Sequence, residues 1–137
     1  MKATIILADA AQVAEGKLFI LGGGWSVTSG KLPSALAIKI EVPWSAANEP
    51  HTLAIRLLDS DGKEVVHLTT ETFEVGRPAG IPTGTSIDHV LAIQMGPLMM
   101  LAPGQRYVWE LSIDNHVAEE WRCSFYVRPA PQPAPVE

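Results

Sequence analysis

Three consecutive glycines, Gly22 to Gly24, stand between two short runs of β-favouring residues and constrain the fold more than any other feature. The stretch from Lys17 to Thr28 reads KLFILGGGWSVT. Glycine inside strand-like sequence marks a position that needs a positive φ or leaves no room for a side chain. We therefore expect a kinked strand or tight bend at the glycines, after which Trp25 re-enters a core.

Every long apolar segment repeats with a period of two residues, which is typical of a strand with one buried face. In the clearest case, Ser34 to Val42, apolar side chains alternate with Lys39 and Glu41, so we expect a half-buried antiparallel strand. Other strands are expected within Ala3–Ala8, Lys17–Thr28, Leu53–Leu57, Lys63–Val75, Ile87–Met95, Tyr107–Ile113 and Trp121–Val127. About eight short strands without a long helix predict an all-β, antiparallel β-sandwich, Ig-like or C2-like, with a closed barrel as the alternative.

Turn residues separate these runs. The motif Ser60-Asp61-Gly62 between two alternating runs predicts a hairpin with positive φ at both turn positions, and a phase slip in its second strand predicts a β-bulge near Thr70 to Thr72. Asp9 to Gly16 is expected to form either one turn of helix or an irregular connection. The Pro/Gly-rich loop Gly76 to Gly84 is expected to cross from one sheet to the other.

A chain of 137 residues, 47% hydrophobic and 18% charged, predicts a single globular domain over residues 1–128. Residues 129–137, rich in alternating prolines, predict a disordered, extended tail. The ten basic residues are scattered and the net charge is −5, so neither nucleic acid nor an anionic membrane is an expected partner.

The location is expected to be the cytoplasm. Cys123 is the single cysteine, so no internal disulfide can form. The apolar run after Lys2 ends at Asp9, too early for a secretory signal, and no apolar run approaches the roughly 20 residues that span a bilayer.

No motif for catalysis, cofactor binding or metal binding fits, so we predict no catalytic residue, no cofactor and no metal site. A P-loop fails at Trp25 and Leu32, and the dinucleotide fingerprint fails at Val27, which stands where the third glycine belongs. A nucleophile elbow at Ser26 fails because Thr28 replaces its final glycine. No two histidines have chelating spacing on one element.

Asp59 and Asp61 leave one alternative open. Together with Asp88 or Asp114 from another loop they would form a calcium site at one end of the sandwich, whereas the simpler interpretation is turn chemistry.

An interaction surface is the remaining candidate site. The run Leu98-Met99-Met100-Leu101 is apolar on both faces, whereas a half-solvated strand shows a polar face. Trp44, which follows Pro43 in a loop, is the tryptophan expected to be exposed. We predict a protein partner or self-association at these residues, with an ordinary covered core as the alternative.

Five segments together resemble a known family: LADAAQV (7–13), GKLFILGGGWS (16–26), VPW (42–44), FEVGRPAGIPTGT (73–85) and PGQRYVWELSID (103–114). The chain up to about Pro129 resembles a widespread bacterial family of small all-β proteins catalogued only as a domain of unknown function. The resemblance implies an Ig-like or C2-like sandwich in a cytoplasmic bacterial protein, and it supplies no activity, cofactor or catalytic residue.

These observations predict a non-enzymatic interaction or structural module. The alternative is a small-ligand-binding protein or an unrecognised enzyme that uses a pocket at the loop end. A cleft of several hundred Å³ lined with converging His, Asp or Arg side chains would favour the alternative.

Overall fold

The computed structural model describes residues 1–29, 33–97 and 101–129. Within these residues the chain forms nine strands: β1 (Lys2–Ala14), β2 (Lys17–Gly23), β3 (Val27–Thr28), β4 (Ser34–Val42), β5 (His51–Leu58), β6 (Glu64–Phe73), β7 (Ile87–Met95), β8 (Arg106–Ile113) and β9 (His116–Val127). Apart from a single 3-10 turn at Trp44–Ala46, this part of the chain contains no helix, and none of it could span a membrane as a helix.

The strands form two sheets that pack as a β-sandwich, which confirms the predicted fold class. Sheet A has the order β2-β1-β4-β7 and sheet B has the order β3-β9-β8-β5-β6. All pairs are antiparallel except β3 with β9, which is parallel. The loop after β6 crosses from sheet B to sheet A, as predicted.

One large core lies between the sheets. Alternate residues of β4, such as Leu36 and Ile38, meet Trp109 and Leu111 of β8 there, and all four are almost fully buried. The expectation that β4 is half-buried was wrong for its first half. Ala35 and Ala37 on its other face are also buried, in a second small cluster with Ala11 of β1.

The segment from Asp9 to Gly16 was predicted as a helical turn or an irregular connection, and this was wrong. β1 continues to Ala14, and Glu15 and Gly16, both with positive φ (52° and 70°), connect it to β2 as a two-residue hairpin loop. Such loops favour Asn or Asp before glycine. Glu15 therefore gives no sequence signal for the turn.

The hairpin between β5 and β6 forms where it was predicted, although its details differ. Only Gly62 has a positive φ (79°), and Asp59 N–H donates to the Lys63 carbonyl, so the loop has three residues instead of two. The expected bulge near Thr70 to Thr72 is displaced along the strand. Register shifts occur instead opposite Ile55/Arg56 and Leu57/Leu58, where Leu68 in the middle of β6 and Val65 near its start are the extra residues.

The predicted bend lies at the glycine run, and the structure shows that the chain leaves sheet A for sheet B there. Gly22 and Gly24 have φ of 61° and 94°. Gly24 N–H donates to the Leu7 carbonyl of β1, and two residues later the Ser26 carbonyl accepts from Tyr126 of β9. Trp25 re-enters the core between these contacts and meets Phe125 edge to face.

Candidate functional site

The two sheets have four edges, and three of them show features that prevent pairing with another chain. β3 has two residues, and β6 carries charged residues and two register shifts. β7 is largely half-buried, and its His89 stacks on Phe73 of β6 with ring centroids 4.7 Å apart, which closes the sandwich on that side. Short strands, charges and irregular register are common protections of an edge strand.

The fourth edge, β2, lacks most of these protections. It is seven residues long and Lys17 is its only charge. Phe19, Ile20 and Leu21 are 50%, 39% and 70% exposed, which is unusual for large apolar side chains in consecutive positions. An exposed apolar edge strand is a template for pairing with another strand.

The free backbone groups of this edge follow from the β1–β2 register. Ala14 and Lys17 close the two-residue loop, so Lys17, Phe19 and Leu21 direct their N–H and C=O groups toward β1. Leu18 and Ile20 therefore direct theirs outward.

The half of the β1–β2 hairpin that is next to its loop packs against the rest of sheet A. Ala11 and Leu18 contribute to the second small cluster, where they cover Ala35 and Ala37. The Gln94 side-chain amide of β7 donates to the Ala11 carbonyl. The exposed side chains of β2 therefore stand on an anchored hairpin.

Of the predicted interaction surface, the structure describes only Trp44 and Leu101. Leu98, Met99 and Met100 lie outside the described residues. Leu101 is 6% exposed and packs in the main core. Trp44 is half-buried, and the Arg77 guanidinium lies 4.6 Å above its ring and donates to its carbonyl.

An arginine groove lies on the outer face of sheet B. It has a volume of about 860 Å³, and its charged side chains are Arg56, Arg106, Arg122, Glu110 and Asp59. The cross-strand register places Arg56 opposite Glu110 and Glu110 opposite Arg122. The groove has the size that the alternative requires, but Arg56 and Arg122 converge on Glu110 and the groove lies on a sheet face instead of a loop end, so the criterion is met only in part.

Glu110 is 2% exposed and ion-paired on both sides. Arg56 donates from Nε and Nη2 to Oε1 (2.8 and 2.7 Å), and Arg122 donates from Nε and Nη2 to Oε2 (3.0 and 2.9 Å). Bidentate pairs of this kind fix the guanidinium planes. The sequence shows each residue only as a polar position between apolar neighbours, so this cluster was not predicted.

The aspartates considered for calcium do not converge. Asp59 Oδ1 accepts from the backbone N–H groups of Asp61 and Lys63, and Asp114 lies at the opposite end of β5, where it accepts from Thr52 N–H. Across the described ranges no three His, Cys, Asp or Glu side chains are grouped to hold a metal ion.

His51 is held as an imidazolium by two acceptors. Its Nδ1 lies 2.7 Å from Asp114 Oδ2 and its Nε2 lies 2.7 Å from the Ala46 carbonyl, so both nitrogens must carry hydrogen. Burial lowers the pKa of His51, but the hydrogen bonds to Ala46 and Asp114 outweigh it and raise the pKa above 6.5. Burial lowers the pKa of His89, the histidine stacked on Phe73. These contacts stabilise the fold and line neither β2 nor the arginine groove.

The comparisons with known proteins give one match. The model of a family described as "Family of unknown function (DUF6941)" matches residues 3–128. No curated protein matches the chain. No solved structure matches it either.

Proposed function

Because the chain belongs to the DUF6941 family of unknown function, we propose its role from its surface: a non-enzymatic interaction module that pairs through β2 with a second copy of itself. The exposed apolar edge of β2 is the observation that carries the proposal. The single cysteine supports a cytoplasmic location for such a module.

The distribution of charge favours an antiparallel pair of identical strands. Lys17, the only charged residue of β2, lies at one end of the strand. Parallel pairing would place the two lysines side by side. Antiparallel pairing about a two-fold axis at Ile20 separates them by six residues, or about 20 Å.

The same axis gives a favourable set of side-chain pairs. Ile20 lies opposite its own copy with the outward backbone groups bonded, and Phe19 of each copy lies opposite Leu21 of the other. These aromatic–aliphatic pairs fall in the non-hydrogen-bonded positions, where opposite side chains approach most closely. The pairing would join two four-stranded sheets into one.

The test is sedimentation of the wild type and three variants over a range of concentrations. Phe19→Lys places a charge on the edge, and Ile20→Pro removes an outward N–H that does not bond to β1. Val117→Lys is the control, because Val117 is a 43% exposed apolar residue on β9, away from this edge. We expect the wild type and Val117→Lys to form dimers and the two edge variants to be folded monomers whose melting temperature no longer depends on protein concentration. A wild type that stays monomeric, or edge variants that still dimerise, would refute the proposal.

A further inference from the structure

The arginine groove on sheet B has features that the fold does not require. A buried ion pair is often no more stabilising than apolar residues of the same volume, because both charges lose water. Here three adjacent strands each contribute one charged residue to a solvent-facing sheet surface, at Arg56, Glu110 and Arg122. Glu110 is the buried member, whereas both arginine side chains remain almost half exposed.

The arginines retain free donors in fixed positions. Each guanidinium has five N–H groups, and the Nε and one Nη2 hydrogen point at Glu110. Both Nη1 hydrogens of each arginine therefore have no partner among the described residues. Since the ion pairs with Glu110 orient the guanidinium planes, little side-chain entropy is lost when a ligand binds to these donors.

The charge of the groove indicates the kind of ligand. Arg106 adds a third guanidinium, and no hydrogen bond or ion pair holds it within the described part of the chain. The three arginines carry three positive charges, and Glu110 and Asp59 carry two negative ones, so the groove has a net charge of +1. The protein as a whole carries −5. One surplus charge balances a carboxylate, whereas a phosphate dianion would remain unbalanced.

The groove also offers apolar surface beside the arginines. Two valines line it: Val27, which is exposed, and Val108, which lies between Arg106 and Glu110 along β8. A volume of about 860 Å³ is within the range of ligand sites. We infer that the arginine groove binds a ligand that carries a carboxylate next to an apolar group, which is a second binding site beyond the β2 edge.

The inference is tested by nuclear magnetic resonance titration of the full chain, with backbone amide and arginine Nε–H signals recorded. Valerate represents a free acid and the capped peptide acetyl-Val-Glu-amide represents an acidic segment, each with one carboxylate beside an apolar group, and inorganic phosphate tests the charge argument. We expect saturable shifts at Arg56, Arg106 and Arg122 with at least one carboxylate probe. Saturation by valerate identifies a free acid as the ligand, and saturation by the peptide alone identifies an acidic segment.

Three variants distinguish binding at a specific site from nonspecific attraction of anions to positive charge. Arg106→Gln leaves the Glu110 ion pairs intact and should weaken binding about tenfold, the effect of losing one charge-assisted hydrogen bond. Arg122→Lys keeps the charge but loses the planar fork and should weaken binding as well. Lys39→Gln, which removes the same charge from sheet A, is the control and should leave binding unchanged. Shifts that do not saturate, tighter binding of phosphate, or equal effects of Arg106→Gln and Lys39→Gln would each overturn the inference.

Discussion

Substitution of Gly22 should destabilise the protein through two separate causes. Its φ of 61° costs a residue with a side chain about 1–2 kcal/mol. A Cβ at this position would also overlap the Asp9 carboxylate and lie 2.7 Å from Asp9 Cγ. Because Asp9 is exposed, its carboxylate can turn away from the new Cβ, and the change of rotamer should cost about 1 kcal/mol. We therefore expect Gly22→Ala to lower the free energy of unfolding by about 2–3 kcal/mol.

Gly24 provides the matched control. Its φ is 94°, but a Cβ there would meet nothing within 4 Å, so Gly24→Ala should show the backbone cost alone, about 1–2 kcal/mol. Asp9→Ala should have little effect alone, because Asp9 is exposed. Combined with Gly22→Ala, it should restore about 1 kcal/mol of the lost stability by removing the overlapping carboxylate.

Urea unfolding monitored by tryptophan fluorescence gives these free energies, provided the slope with urea concentration is unchanged among the variants. Equal losses for Gly22→Ala and Gly24→Ala would contradict the overlap argument. No loss for either variant would contradict the assignment of a strained bend. A double variant no more stable than Gly22→Ala would show that Asp9 is not the obstructing group.

Three further predictions concern charge and secondary structure. The pKa of His51 is higher in the folded protein than its ordinary value of 6.5. Its contribution to stability is therefore complete below about pH 6.5 and is lost as the pH rises through the pKa of the folded state. The difference in melting temperature between wild type and His51→Gln should therefore shrink with rising pH, and a constant difference would contradict the imidazolium assignment. Replacing both Arg56 and Arg122 by alanine should cost about 3–5 kcal/mol, more than Glu110→Gln, because it leaves a buried carboxylate unpaired; equal losses in urea unfolding would refute this. Far-ultraviolet circular dichroism should show a β-sheet spectrum, and a helical spectrum would contradict the fold.

Much of the fold follows from local sequence. Alternation in Ser34–Val42 predicted β4 with its observed bounds, and Asp61-Gly62 predicted the β5–β6 hairpin. The glycine run predicted the bend at which the chain changes sheets. These features are set by side-chain period and backbone angles, which neighbouring residues determine.

Both candidate sites depend on long-range pairing. Phe19 and Leu21 belong to an apolar run that a buried strand would share, and they are exposed only because β2 lies at the edge of sheet A. Arg56, Glu110 and Arg122 come from three strands, and the register alone places them side by side. Local sequence sets which residues form strands, whereas exposure and charge clustering depend on which strands become neighbours.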